Sequence, residues 1–194
     1  MASSNAQVGS NAQTGPKGAV FLDRDGVLNR APVKDGRPYA PHRLSEMEVL
    51  PGVEDACARL TTAGLQLFCV TNQPDVARGI ADRGAIEEMN TWLATRLGLT
   101  AVAVCWHDDG EGCHCRKPKP GLLLDLAKSY ELSLPQSVMV GDRWRDIEAG
   151  KRAGCTTIFI DYDYAEKRPE RFDLSVDSLS SAVPQILQHF TIGG

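Results

Sequence analysis

Asp23 and Asp25 stand two residues apart at the end of the apolar run Val20-Phe21-Leu22, and Gly26 follows at once. In an extended strand, residues i and i+2 point to the same side, so both carboxylates should emerge where the strand ends. Two acidic side chains that close repel each other unless a cation or a proton lies between them. The spacing suggests a Mg²⁺ site beside a carboxylate nucleophile, weighed against the plainer reading of an Asp-Gly turn.

Three further segments carry complementary groups. Val70-Thr71-Asn72-Gln73 ends an apolar run in a hydroxyl and two amides, Arg116-Lys117-Pro118 supplies two cations, and Gly141-Asp142-Arg143 is followed by Asp146. Singly, each has an ordinary explanation: Thr71-Asn72 as a turn, Lys117 as a surface lysine, Asp142 as a helix cap. Asp146 lies four residues after Asp142, on the same helical face. It is expected to orient a metal-bound water or Lys117 rather than to ligate directly.

A second group of ligating residues is Cys105-Trp106-His107 with Cys113-His114-Cys115. Cysteines one residue apart rarely bridge, because a disulfide needs particular Cβ spacing. Three thiols and an imidazole closing a short polar loop suit tetrahedral Zn²⁺. His107 is the expected fourth ligand, since alternation turns His114 away. With four protein ligands this zinc would be structural. The loop, residues 105–115, runs straight into Arg116-Lys117 and would hold them over the site. Cys57, Cys69 and Cys155 read as small buried hydrophobes.

The elements that must position these groups are legible as periodicity. Short apolar runs ending at Leu22, Val70, Trp106, Val140 and Ile160 predict buried strands. Helical spacing follows each: Val53, Ala56, Cys57 and Leu60; Ile86, Met89, Leu93 and Leu97; Leu123, Leu124 and Ala127; Ile147 and Ala153; Val183, Ile186, Leu187 and Phe190. Strand–helix alternation predicts an α/β, Rossmann-like three-layer sandwich with a mainly parallel sheet. Ligands of such sheets bind beyond the carboxyl ends of the strands, where Asp23, Asp25, Thr71, Asn72 and Asp142 fall. Residues 1–17 are a polar tail, expected to be disordered, in which Ser4–Gly9 nearly repeats as Ser10–Gly15. Residues 18–194 are expected to form a single domain.

Bulk composition excludes several classes. With 21 basic and 25 acidic residues the net charge is −4, so general attraction to nucleic acid or acidic membranes does not follow. No apolar run approaches the roughly 20 residues of a membrane span, and the N-terminus lacks a signal-like start. A reducing, cytoplasmic setting and a monomer are expected.

In this order and at strand ends, the four segments resemble the motifs of the haloacid dehalogenase (HAD) superfamily of aspartate-nucleophile phosphatases. The zinc loop narrows the resemblance to the branch of heptose bisphosphate and histidinol-phosphate phosphatases. The resemblance implies a Mg²⁺ held by Asp23, Asp142 and the Asp25 backbone carbonyl. It implies Asp23 as nucleophile, Asp25 as acid and base, Thr71, Arg116 and Lys117 stabilising the phosphoryl group, and Arg143 contacting substrate; Asn72 and Arg78 are further candidates for substrate contact. Three departures concern the substrate: Cys-Trp-His where the family usually has Cys-Pro-His, Arg143 where lysine occurs, and the divergent segment Arg30–Leu50 containing Arg37-Pro38-Tyr39. Residues 26–51 are expected to be only a loop, leaving a capless, open site. Arg78, Arg116, Lys119, Arg143 and Arg145 would give it a basic mouth. The leading substrate is a small phosphorylated sugar, heptose 1,7-bisphosphate first, with histidinol phosphate as the rival. A phosphotransferase and a non-catalytic zinc-organised phosphate-binding module are the other readings.

Overall fold

The computed structural model of the protein describes residues 17–192. Most of the polar tail, residues 1–16, lies outside the described residues, while Lys17 pairs with Leu132 in an isolated bridge. In chain order the strands are β1 (Val20–Leu22), β2 (Val33–Lys34), β3 (Arg37–Pro38), β4 (Leu67–Asn72), β5 (Ala101–Cys105), β6 (Val138–Gly141), β7 (Thr156–Ile160) and β8 (Leu174–Val176). The helices are α1 (Val53–Thr62), α2 (Pro74–Ala77), α3 (Arg83–Leu97), α4 (Gly121–Ser129), α5 (Trp144–Ala153) and α6 (Leu179–Ile192).

Six strands form one parallel sheet in the order β5-β4-β1-β6-β7-β8. Alternate residues of the central strands feed two cores. Val20, Leu22, Leu67, Cys69, Val138 and Val140 pack with α1, α3 and α6. Phe21, Phe68, Val70 and Met139 face the opposite way, onto α4 and α5. Phe21, Leu22 and Phe68 are fully buried, and burial of each such side chain stabilises the fold by about 1.5–3 kcal/mol. The chain leaves β1 for β4 and β5 on one side, then returns to β6 on the other. This reversal opens a crevice between the carboxyl ends of β1 and β6.

The expected strands and helices are present, with four differences, the first being the short helix α2 right after β4, which was not expected. Leu124 is 45% exposed, because the buried face of α4 centres on Leu122, Leu123, Leu126 and Ala127. β8 is an addition: a three-residue edge strand bonded only to β7 carries too short an apolar run to read. The stretch expected to be only a loop contains the antiparallel hairpin β2–β3. Its turn, Asp35-Gly36, has φ of 51° and 72°, the paired positive angles that a two-residue hairpin turn takes and that Asp-Gly favours. That signal was present in the sequence.

Candidate active site

β1 delivers Asp23 to the floor of the crevice, and the Asp23 amide continues the ladder by donating to the Val140 carbonyl at 3.0 Å. Beside it, β6 ends at Gly141 and turns through Asp142 into α5. Gly26 lets the chain pass against Asp142: its φ is +92°, and a Cβ there would lie 2.0 Å from Asp142 Oδ2. Gly141 is equally confined, since an added Cβ would meet the Asp146 Cβ at 2.1 Å.

Lys117 follows the cysteine–histidine loop 105–115 and is 2% exposed. Its Nζ reaches Asp23 Oδ1 at 2.6 Å, Asp146 Oδ1 at 2.6 Å and the Val70 carbonyl at 2.7 Å, which uses all three ammonium donors. Burial works to discharge this lysine, but the Asp146 and Asp23 carboxylates together outweigh it and hold its pKa above the usual lysine value. Asp146 Oδ2 also accepts the Arg143 amide at 3.0 Å. Both of its oxygens are therefore committed, the pattern of a residue that orients its neighbours.

Asp23, Asp142 and Asp146 each offer an oxygen within 4.8 Å of the others. Burial first, then the Asp146 charge, push the Asp23 carboxyl up to about 7, with Asp25 adding to the rise against Lys117. Asp142 is also raised well above an ordinary carboxylate, by burial and then by Asp23 and Asp146. Neither Asp142 oxygen has a partner at ordinary hydrogen-bond distance and angle among the described residues; the Tyr164 phenol faces it closely enough to lower its pKa in part, against the larger rise from burial. Burial of an unpartnered carboxylate among like charges is costly, and a hard divalent cation accepting oxygen ligands would remove the cost. The donor set fits Mg²⁺. Tyr164, perturbed by burial and then by the Asp142 charge, has a raised phenol pKa.

The Asp25 side chain lines the same cleft as Asp23 and is held by its own set of donors. It accepts from Arg24 Nη2 at 3.0 Å, Asn29 Nδ2 at 3.0 Å and Gln73 Nε2 at 2.9 Å. Arg24 is wholly buried and its Nη1 donates to Asn90 at 2.9 Å. Gln73 also donates to Thr71 Oγ1 at 3.0 Å, leaving the Thr71 hydroxyl proton free to point elsewhere. The Asn72 amide is spent on the Lys117 backbone, donating to its carbonyl at 3.0 Å and accepting its N–H at 3.1 Å. Asn72 thus clamps the strand end β4 to the segment that carries Lys117.

The second cluster is equally closed. Cys115 Sγ lies 3.2 Å from Cys105 Sγ and 3.4 Å from His107 Nδ1, and Cys105 Sγ lies 3.7 Å from Cys113 Sγ. Those separations exceed the roughly 2.05 Å of a disulfide and approach the ~3.8 Å edge that 2.3 Å Zn–S bonds give a tetrahedron. His114 is elsewhere, with its Nε2 2.9 Å from Asp125 on α4.

Above the floor opens a cavity of about 480 Å³. Its rim overturns the expectation of a basic mouth. Arg78 pairs with Asp75 and Asp108, Arg116 and Arg145 share Asp109, and Arg143 holds Glu166 through two bonds of 2.9 and 2.5 Å. Lys119 donates to the Gly112 and Cys113 carbonyls. Four arginines face four carboxylates, so their charges cancel. Sequence spacing showed the cations but not the acids that fold against them. Also missed were Arg24, Asn29 and Gln73, the three supports of Asp25; two of them stand inside the motifs quoted for the site.

A parallel sheet with acids at two strand ends, a buried lysine between them and an open polar cleft defines a phosphate-handling α/β hydrolase. The family model described as "HAD-hyrolase-like" matches residues 114–182. The D-glycero-beta-D-manno-heptose-1,7-bisphosphate 7-phosphatase of Bordetella bronchiseptica is 38% identical over 70% of this chain and 76% of its own length. The protein of the same name from Haemophilus ducreyi is 32% identical over 88% of this chain and 98% of its own length. Among solved structures, the D,D-heptose 1.7-bisphosphate phosphatase of B. bronchiseptica, complexed with magnesium and phosphate, superposes with a TM-score of 0.77 at 31% identity, over 88% of this chain and 98% of that one. A putative HAD-like phosphatase from Mesorhizobium loti gives 0.73 at 30% identity, over 96% and 92%. The chain belongs to the HAD superfamily of phosphoric monoester hydrolases, in the family of these heptose-bisphosphate phosphatases.

Proposed function

We propose that this protein is a Mg²⁺-dependent phosphatase that removes the 7-phosphate of D-glycero-beta-D-manno-heptose 1,7-bisphosphate through an aspartyl-phosphate intermediate. The observation that carries the reading is the buried triad of Asp23, Asp142 and Lys117, in which neither Asp142 oxygen has a partner at ordinary hydrogen-bond geometry and a second carboxylate lies beside it. Mg²⁺ would be held by Asp23, Asp142 and the Asp25 backbone carbonyl, and when bound it neutralises charge on the phosphate and on the nucleophile.

The chain's own residues supply the remaining steps. Asp23 Oδ1 is fixed by Lys117, which leaves Oδ2 to attack phosphorus in line and displace the sugar oxygen. Asp25 protonates that oxygen and then takes a proton from the water that cleaves the aspartyl phosphate. Arg24, Asn29 and Gln73 hold its carboxyl in place for both transfers. Thr71 and the uncommitted Nη2 of Arg116 donate to the phosphoryl oxygens, while Lys117 places a cation where negative charge gathers. Asn72 keeps Lys117 in register. Asp146 steadies the ammonium, and Arg143 and Arg78 line the approach.

Zn²⁺ bound by Cys105, His107, Cys113 and Cys115 would supply structural closure of the loop. Arg116 begins at the end of that loop and donates to the His107 carbonyl at 3.1 Å, so the loop's closure fixes where the arginine sits. The six unbridged thiols suit a reducing compartment, and the cytoplasm is the setting we infer. Among the described residues no helix is long and apolar enough to cross a membrane.

Phosphate release from the heptose bisphosphate and from histidinol phosphate, measured side by side with Mg²⁺, tests the reading. The bisphosphate should be preferred, and Asp23→Asn should abolish turnover. Wild-type rates in the Asp23→Asn protein, or no release from any sugar phosphate by the wild type, would sink it.

A further inference from the structure

We propose that Arg37, on the hairpin β2–β3, recognises the second, non-reacting phosphate of a sugar bisphosphate and so selects doubly phosphorylated substrates. The inference rests on the phosphatase reading and adds to it the group that discriminates among substrates.

The first support is the state of the cleft's cations. Five guanidinium groups line it: Arg37, Arg78, Arg116, Arg143 and Arg145. The last four are each held by a carboxylate. For Arg78, Arg143 and Arg145, taking up an anion at the rim means exchanging one negative partner for another, which yields little, while the free Nη2 of Arg116 serves the reacting phosphate. Among the described residues Arg37 is the cleft arginine with neither an ion pair nor a side-chain hydrogen bond. A phosphate meeting it gains charge-assisted, bidentate bonds at no such loss.

Placement is the second support. Asp23 and Lys117 form the buried floor, 6% and 2% exposed, whereas Arg37 stands on the exposed rim. A substrate with its reacting phosphate on the floor must present its far end to the rim. The hairpin is closed at its base by the Tyr39 amide donating to the Pro32 carbonyl at 2.9 Å, and its tip is tied to the body where the Gly36 carbonyl accepts from Ala165 at 2.8 Å. At the tip, a Cβ on Gly36 would sit 2.7 Å from the Ala165 Cβ, so this anchor tolerates no side chain. Tyr39, two residues beyond Arg37 and on the same side of the extended chain, lines the same cleft and is 51% exposed. Its ring offers an apolar surface to the sugar between the two phosphates.

The test compares wild type, Arg37→Ala and Arg37→Lys on heptose 1,7-bisphosphate, on the matching 7-monophosphate and on p-nitrophenyl phosphate. Loss of a charged hydrogen-bonded contact should lower the bisphosphate-to-monophosphate ratio of kcat/KM by on the order of 10- to 100-fold. The change should fall mainly in KM, with Arg37→Lys recovering part of it. An equal loss on all three substrates would mark a displaced hairpin and overturn the assignment, as would an unchanged ratio. A wild type inactive on every phosphomonoester would instead overturn the phosphatase reading beneath it.

Discussion

Substituting Asp142 by asparagine should make the metal-free protein more stable while removing its response to Mg²⁺. Asp142 is buried, both its oxygens lack partners at ordinary hydrogen-bond geometry, and burial together with Asp23 and Asp146 raises its pKa. Without a cation this carboxylate carries a desolvation penalty and repels its neighbours. An unsatisfied buried polar group costs about 1–3 kcal/mol, so relief of about 2 kcal/mol is a fair central figure. Asparagine is nearly isosteric, and its amide N–H can donate toward Asp23. In a domain of this size, 1 kcal/mol moves Tm by roughly 2–4 °C, which predicts a gain of about 4–8 °C in chelator-treated, zinc-replete protein. Mg²⁺ reverses the order: a ligand at one hundred times its Kd stabilises by about 2.7 kcal/mol, and the wild type alone should show that rise. Differential scanning calorimetry with and without Mg²⁺ reads both effects, and phosphate release should vanish in the variant. A metal-free Asp142→Asn protein that melts below wild type, or one that keeps the full Mg²⁺ shift, would refute the assignment of a cation to this carboxylate.

Lys117→Met should destabilise by about 3–5 kcal/mol in urea titrations, because two buried carboxylates lose their shared counter-ion. Adding Asp146→Asn should restore part of that stability without restoring turnover; strict additivity of the two changes would count against the coupling. For Asp23, raised from 3.8 to about 7, the folded metal-free chain keeps a proton that the unfolded chain has released. The Asp23 contribution to stability should therefore fall as pH rises from about 4 to 7, with Asp142 adding a loss of the same sign, while Mg²⁺ affinity, measured calorimetrically, rises over the same interval; a flat profile in both would show that Asp23 titrates normally. Removal of zinc with a thiol-compatible chelator should lower Tm and abolish activity that Mg²⁺ alone cannot restore. Elemental analysis of protein never exposed to chelator should find about one zinc per chain, for the one cluster of the Cys₃His type among the described residues, and its absence would eliminate the metal.

Periodicity and motif order made five of the six sheet strands and the main helices legible, since apolar runs and helical spacing are local properties of the chain. The same locality explains why β8 did not register: Leu174-Ser175-Val176 is an edge strand only partly buried, with no continuous apolar run. The Asp35-Gly36 turn was readable in principle, yet its importance lies in where the hairpin lands, which is a long-range fact. Asp23, Asp142 and Lys117 were individually visible as polar residues beside apolar runs. Lys117 was legible as a cation near phosphate; its full burial among Asp23, Asp146 and the Val70 carbonyl was not.

The amino-acid order alone determined a parallel α/β sheet, the acids at its strand ends and a loop that gathers three cysteines and a histidine, because each depends on spacing along one strand, helix or turn. Tertiary structure decided which charges are available. Asp109 pairs with Arg116, seven residues away, and with Arg145, thirty-six away, while Glu166 takes Arg143 from twenty-three residues off. Ion pairing falls off steeply with distance in space and is indifferent to separation along the chain. A row of arginines that reads as a basic mouth is therefore neutralised on folding, and Arg37 is left to meet an anion.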